Sequence, residues 1–129
     1  MNTKPVYTDF RRRLQAREYV LGTFLKIPTT HATEILGMLG FDFVIIDQEH
    51  APFERGAIDV MVLAARASNI AGIVRVGDPS EANILSVLDC GATGIMYPVT
   101  SFVFSMPQIS CVSRAGIRAS VADTASPPA

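Results

Sequence analysis

The sequence predicts an α/β fold of about four parallel strands alternating with helices, followed by an irregular C-terminal tail. Three observations carry this. Phe43-Val44-Ile45-Ile46 is a continuous apolar run without polar alternation, which suits a strand covered on both faces. Ile58, Met61, Val62 and Ala65 recur at i, i+3, i+4 and i+7, the spacing of an amphipathic helix. Strand-like and helix-like segments then alternate in units of roughly 20 to 25 residues, the order that right-handed crossovers turn into a parallel sheet. The pattern alone leaves a closed barrel and an open doubly wound sheet as alternatives.

Taken in order, Thr8 to Ala16 reads as a short helix with Phe10 and Leu14 facing a core. Tyr19 to Lys26 reads as a strand, closed by Pro28. Thr29 and Thr30 are N-cap candidates for a helix whose apolar face is Ile35, Met38 and Leu39, stopped by Gly40. After the second strand and the Ile58–Ala65 helix, Ala71 to Val76 is the next buried strand. Asp78-Pro79-Ser80-Glu81 has the form of a helix start, with Asp78 as N-cap, Pro79 at the first helical position and Glu81 three residues after the cap. Ile84, Val87 and Leu88 are that helix's stripe and Gly91 its end. Thr93 to Tyr97 reads as a fourth strand, closed by Pro98. The organisation expected is an N-terminal helix over residues 1–18, a β/α unit over 19–100, and a tail over 101–129 with no sustained period and a Thr-Ala-Ser-Pro-Pro-Ala end.

Composition narrows the function. Hydrophobic residues make up 49% of the 129, ample for one core, and the net charge of −1 gives no electrostatic reason to expect a nucleic acid or an anionic membrane as partner. No apolar run approaches the roughly 18 to 20 residues that span a bilayer. Arg11-Arg12-Arg13 reads as a solvated helix face. Cys90 and Cys111 fit neither a disulfide framework nor a zinc site, and a reducing cytoplasm is the expected setting. GxGxxG, GxxxxGK[ST] and GxSxG motifs are all absent, and no His/Asp/Glu cluster is dense enough for a complete metal site.

Ligands of parallel α/β folds sit beyond the C-terminal ends of the strands, so polar residues there are the candidates. Asp47, Gln48, Glu49 and His50 directly follow the apolar second strand. An unperturbed imidazole changes charge near neutrality and a neighbouring carboxylate can orient its ring, so His50 suits general acid/base work; the alternative is a loop histidine satisfied by backbone. Arg75 interrupts a strand that should be buried, where a guanidinium is costly unless paired. It suits an oxyanion or carboxylate of a substrate, or else pairs structurally with Asp47 or Glu49. Asp89 stands near a helix C-terminus, an unfavourable place for a negative charge; on spacing alone it is an exposed helix-end carboxylate. His31 reads as a cap or a solvent-facing residue.

The stretch from Gly40 to Pro52, Gly-Phe-Asp-Phe-Val-Ile-Ile-Asp-Gln-Glu-His-Ala-Pro, resembles the signature segment of the HpcH/HpaI aldolase family, metal-dependent class II pyruvate aldolases. Phe10 to Leu14, Gly22-Thr23-Phe24, Val74-Arg75, Asp78-Pro79 and Leu88-Asp89-Cys90-Gly91 follow in the family's order, so the resemblance covers about residues 8 to 100. It implies the N-terminal half of a (β/α)₈ barrel, usually homo-oligomeric, that reversibly cleaves a 4-hydroxy-2-oxo acid to pyruvate or a related 2-oxo acid and an aldehyde. It also implies a divalent cofactor, Mg²⁺ or Mn²⁺, held by a Glu and an Asp from later strands, so no metal ligand is expected in this chain. By the same resemblance His50 transfers the proton of the 4-hydroxyl, Arg75 contacts the ketone oxygen and steadies the enolate, and Asp47 and Asp89 support or orient the histidine, while Glu49 is structural first.

Two departures accompany it. Ile95 to Thr100 resembles a segment that in the family has one more residue after the proline, and nothing after Ser101 is expected to match. A barrel of this kind takes roughly 250 residues, so a shortened or frame-shifted gene product is the expectation. The competing reading from another class is a non-catalytic α/β module, such as a receiver-like domain with Asp47 as phosphoryl acceptor, although Leu25-Lys26-Ile27-Pro28 lacks the acidic pair such a domain needs.

Overall fold

A computed structural model describes residues 6–97 and 109–110. Its elements are α1 (Val6–Gln15), β1 (Gly22–Leu25), α2 (Thr30–Met38), β2 (Phe43–Asp47), α3 (Arg55–Ala67), β3 (Ala71–Arg75), α4 (Glu81–Asp89), β4 (Gly94–Met96) and β5 (Ile109–Ser110). The sheet order is β1-β2-β3-β4-β5, and β1 to β4 are parallel neighbours in chain order. This decides between the two architectures left open by the sequence. A doubly wound sheet reverses its strand order at a switch point. Here each crossover advances in the same direction, the winding of a (β/α) barrel.

Strand side chains alternate between faces, and the register turns that alternation into two cores. Thr23, Leu25, Val44, Ile46, Val74 and Ile95 share one face. Leu25, Val44, Ile46, Val74 and Ile95 there pack with Ile58, Met61, Val62 and Ala65 of α3 and with Val87 of α4. Gly72 lies on the same face, and a Cβ there would sit 3.2 Å from that of Ala65, so its bare backbone is what lets α3 lie close on β3. The other face carries Phe24, Phe43, Ile45, Asp47, Ala71, Ile73, Arg75 and Met96. Its N-terminal half is covered by α1, where Phe10 is fully buried among Ile45, Ala71, Ile73 and Met96 and meets the Phe43 ring at 5.3 Å. Its C-terminal half carries the polar pair Asp47 and Arg75.

Several expectations are corrected. The apolar stripe expected on α2 faces outward: Met38 is 88% exposed, and Ile35 and Leu39 are also exposed. The inward face is instead Ala32, Thr33 and Leu36, and Gly37 lies against Ser68, so α2 approaches through small residues. The stop itself is as expected: Gly40 adopts φ +85°, its N–H reaches the Gly37 carbonyl, and Phe41 N–H reaches that of Leu36. At α4 the cap is Ser80 rather than Asp78. Ser80 Oγ accepts from the Asn83 N–H, whereas Asp78 accepts from the Ser80 N–H and its carbonyl from the Asn83 side chain. Those bonds tie 78–80 into a turn before the helix.

The arginine triplet is not wholly a solvated face. Arg12 pairs with Asp9 on the exposed side, but Arg13 Nη1 donates to Asp42 at 2.5 Å, and Asp42 also accepts the Leu21 N–H at 2.8 Å. Burial raises the Asp42 carboxyl, but these bonds outweigh it and hold it below the usual carboxylate range. α1 is thereby clamped to the N-terminal rim of the sheet. Beyond Tyr97, only Ile109 and Ser110 are described. They form a short strand antiparallel to β4, within the stretch expected to be irregular; the remaining tail expectations lie outside the described residues.

Replacing Phe10 by Ala removes the plug beneath one sheet face and should destabilise the fold by about 3 kcal/mol. Urea unfolding followed by circular dichroism measures this; a loss within experimental error would show that α1 is dispensable to the core.

Candidate active site

Asp47 and Arg75 end β2 and β3 and are register partners, so backbone pairing alone brings their side chains side by side on one face. Asp47 is fully buried, yet it follows four apolar residues on its strand. Its compensation is a two-point contact: Arg75 Nε donates to Oδ1 at 2.9 Å and Nη2 to Oδ2 at 2.5 Å. Oδ1 also accepts the His50 backbone N–H at 3.1 Å, which folds the Asp47–His50 segment into a tight turn. Burial works to raise the Asp47 carboxyl, but the Arg75 and His50 bonds prevail and keep it below the usual carboxylate range. Asp47 in turn raises the Arg75 guanidinium above its ordinary value, against the effect of burial.

The turn places the remaining candidates. Glu49 Oε2 lies 3.4 Å from Arg75 Nε and 3.6 Å from His50 Nε2. The His50 side chain is 59% exposed and so is open to a solute. The guanidinium of Arg75 rests over the Phe24 ring at 4.9 Å, and its Nη1 makes no hydrogen bond among the described residues. Gln48 exchanges amide hydrogen bonds with Asn83, tying the turn to the start of α4.

The structure therefore brings together Asp47, Arg75 and His50, with Glu49 between the last two. The support expected from Asp47 reaches His50 through its backbone N–H rather than its ring; the carboxylate near the ring is Glu49. Asp89 does not join them. It is exposed, the last residue of α4, on the chain leading into the N-terminal end of β4, whereas Asp47 and Arg75 close the C-terminal ends of their strands. His31 is exposed, with Nδ1 3.2 Å from Thr29 Oγ1. Lys26, not among the sequence candidates, also belongs to this end of the sheet: its ammonium lies 3.7 Å from Asp47 Oδ2. The signal was available, because a charge at the end of an apolar strand is what singled out Arg75.

These donors do not suit a divalent ion. Among the described residues no three His, Cys, Asp or Glu side chains converge as a metal group. Both oxygens of Asp47 already serve cationic or N–H donors, and Glu49 lies between Arg75 and His50. A buried aspartate with a two-point arginine is also ill suited to accept a phosphoryl group, and the strand order is not that of receiver domains.

The family model for HpcH/HpaI aldolase/citrate lyase matches residues 21–123. The chain belongs to this family. The match continues past residue 100, where the motifs alone suggested the resemblance would end. A hydroxypyruvate/pyruvate aldolase of Roseobacter denitrificans is 33% identical over 90 residues, 70% of this chain and 35% of that protein. A 5-keto-4-deoxy-D-glucarate aldolase of Shigella boydii is 30% identical over 99 residues, 76% of this chain and 38% of that protein. The solved structure of the citrate synthase SbnG superposes with a TM-score of 0.64 at 38% identity, over 68% of this chain and 36% of that one. This HpcH/HpaI chain thus spans little more than a third of the length of the curated relatives it matches.

Because the Asp47 carboxyl is held down by its partners, its contribution to stability is fully present above its unfolded value of about 3.9 and is lost as pH falls through the lower folded value. Asp47→Asn should cost about 3 kcal/mol at pH 7. The gap between wild type and variant should narrow as the pH is taken below about 3.9. A gap in urea midpoints that stays constant from pH 7 to pH 3 would show that the ion pair does not hold the rim.

Proposed function

We propose that this HpcH/HpaI chain supplies the proton-transfer and enolate-stabilising part of a carbon–carbon lyase site. The reaction is the reversible aldol cleavage of a 4-hydroxy-2-oxo acid to pyruvate, or a related 2-oxo acid, and an aldehyde. The observation that supports this most directly is the placement of an open imidazole and a partly unsatisfied guanidinium on one turn and one strand end, fixed by the same carboxylate.

In cleavage, the C3–C4 bond breaks as the 4-hydroxyl gives up its proton and the bonding electrons move toward the C2 ketone. His50 takes that proton: its ring is accessible, and Glu49 Oε2 lies 3.6 Å from Nε2, where it can orient the imidazole. Arg75 meets the oxygen on which charge develops. Its Nε–Nη2 edge is occupied by Asp47, so the free Nη1 is the donor left for an enolate oxygen. Asp47 holds both groups, one by its side chain and one by its backbone, and so acts as a positioning residue. Mg²⁺ or Mn²⁺ is the proposed cofactor of the complete site, supplying Lewis acidity at the 2-oxo acid; the residues described here do not hold it alone.

The test is a retro-aldol assay with Mg²⁺ or Mn²⁺, following pyruvate release. The 129-residue chain alone is expected to turn over far below ordinary enzyme rates. Residues 20–97 exchanged into the Roseobacter denitrificans aldolase should give an active chimera. There His50→Ala should lower kcat/KM by about 10² or more, and Arg75→Lys, which loses the planar fork, by a comparable factor. A folded chimera indifferent to both substitutions would defeat the proposal.

A further inference from the structure

We infer that Lys26 anchors a substrate carboxylate beside Arg75, an assignment that rests on the aldolase reading for the word substrate but not for the anion site itself. The alternation along β1 places Lys26 on the same face as Phe24, and Leu25 is in register with Ile46. Lys26 therefore stands level with Asp47 and Arg75, so that three neighbouring strands present a cation, an anion and a cation in one row. Its ammonium and Nη2 of Arg75 approach the same atom, Asp47 Oδ2, at 3.7 Å and 2.5 Å. The two cations are thus close neighbours.

Asp47 does not satisfy both. Its Oδ1 accepts from Arg75 Nε and the His50 N–H, and its Oδ2 from Arg75 Nη2. At 3.7 Å, Lys26 is held by charge but lies beyond hydrogen-bonding distance. Among the described residues its ammonium makes no hydrogen bond, which leaves three donors for an incoming oxygen. The other nearby carboxylate, Glu49, is set against Arg75 Nε and His50 Nε2. The Lys26 side chain is 58% exposed, so an anion can reach it without displacing any packed residue.

Arg75 and Lys26 also differ in kind. Arg75 is fixed by Asp47 beneath the open end and by the Phe24 ring, which suits one oxygen at a defined place. Lys26 is a flexible point charge, which suits a carboxylate that enters and leaves. A 2-oxo acid has its carboxylate and its carbonyl oxygen on adjacent carbons, and two neighbouring cations match that pair. A carboxylate on the aldehyde product is the other source of the same chemistry.

Titrating the 129-residue chain with pyruvate and, separately, with succinate distinguishes the sources. Binding is read by calorimetry or by lysine side-chain NMR at low ionic strength with chelator present. Lys26→Met should weaken at least one probe by about tenfold or more, while Lys26→Arg, which retains the charge, stays within about threefold. Loss confined to pyruvate assigns the 2-oxo acid carboxylate, and loss confined to succinate assigns that of the aldehyde. An unchanged thermal midpoint shows that the loss is not unfolding, and Lys26→Gln replaces Lys26→Met if that variant does not fold. No saturable binding of either probe to the wild-type chain, or equal binding by the charge-free variant, overturns the inference. Lys26-dependent binding alongside a folded chimera without turnover would remove the aldolase reading and keep the anion site.

Discussion

The pairing of Asp47 with Arg75 is the constraint on which the open end of the sheet depends. A carboxylate shielded from water at the end of an apolar strand is tolerable only if its charge is met and its lone pairs are filled. The adjacent strand supplies the charge through a two-point contact, and the chain's own reversal supplies the remaining N–H. The consequence runs in both directions. Asp47 is kept ionised by partners that it in turn immobilises, so the loop carrying His50 and the strand end carrying Arg75 share one geometry. Neither can shift without leaving Asp47 unsatisfied.

The opposite rim uses the same device for another purpose. Asp42, just before β2, gathers Arg13 of α1 and the backbone of Leu21, fastening the helix that closes one face of the sheet. The two aspartates bracket the four apolar residues of β2, Phe43 to Ile46. One joins the structure to its N-terminal helix, and the other organises the polar groups at the C-terminal ends of the strands. In β/α barrels generally, chemistry gathers at the C-terminal ends of the strands and stability at the other.

Much of this was legible in the sequence because two periodicities are strong. The apolar run of β2 and the i, i+3, i+4, i+7 spacing of α3 fix strand and helix with no knowledge of their neighbours. Asp47, His50 and Arg75 stood out because polar groups after buried strands need a reason. Other features depend on contacts that spacing does not encode. The stripe of Ile35, Met38 and Leu39 is as regular as that of α3, yet α2 turns its small residues inward because Gly37 can lie against Ser68. Asp78 has the residue type of a cap, but Ser80 serves because Asp78 is committed to the turn before it. Asp89 matches the family motif by position, and its place before β4 follows only from the path of the chain. Lys26 carries only a weak signal of its own, since one lysine at a strand end is commonplace until its distance to a buried carboxylate is known.

The short strand formed by Ile109 and Ser110 bears on how the sheet can grow. It runs against β4, taking backbone groups of Ile95 and Met96 that a fifth parallel strand would otherwise use. A ladder of two residues has little to hold it, so a longer strand arriving in the parallel sense has only a small barrier of lost pairing to overcome. While it is in place, it also keeps that margin from acting as a template for intermolecular pairing, the hazard of any long bare edge. The same two residues thus act as a selvedge, a narrow finished margin along β4.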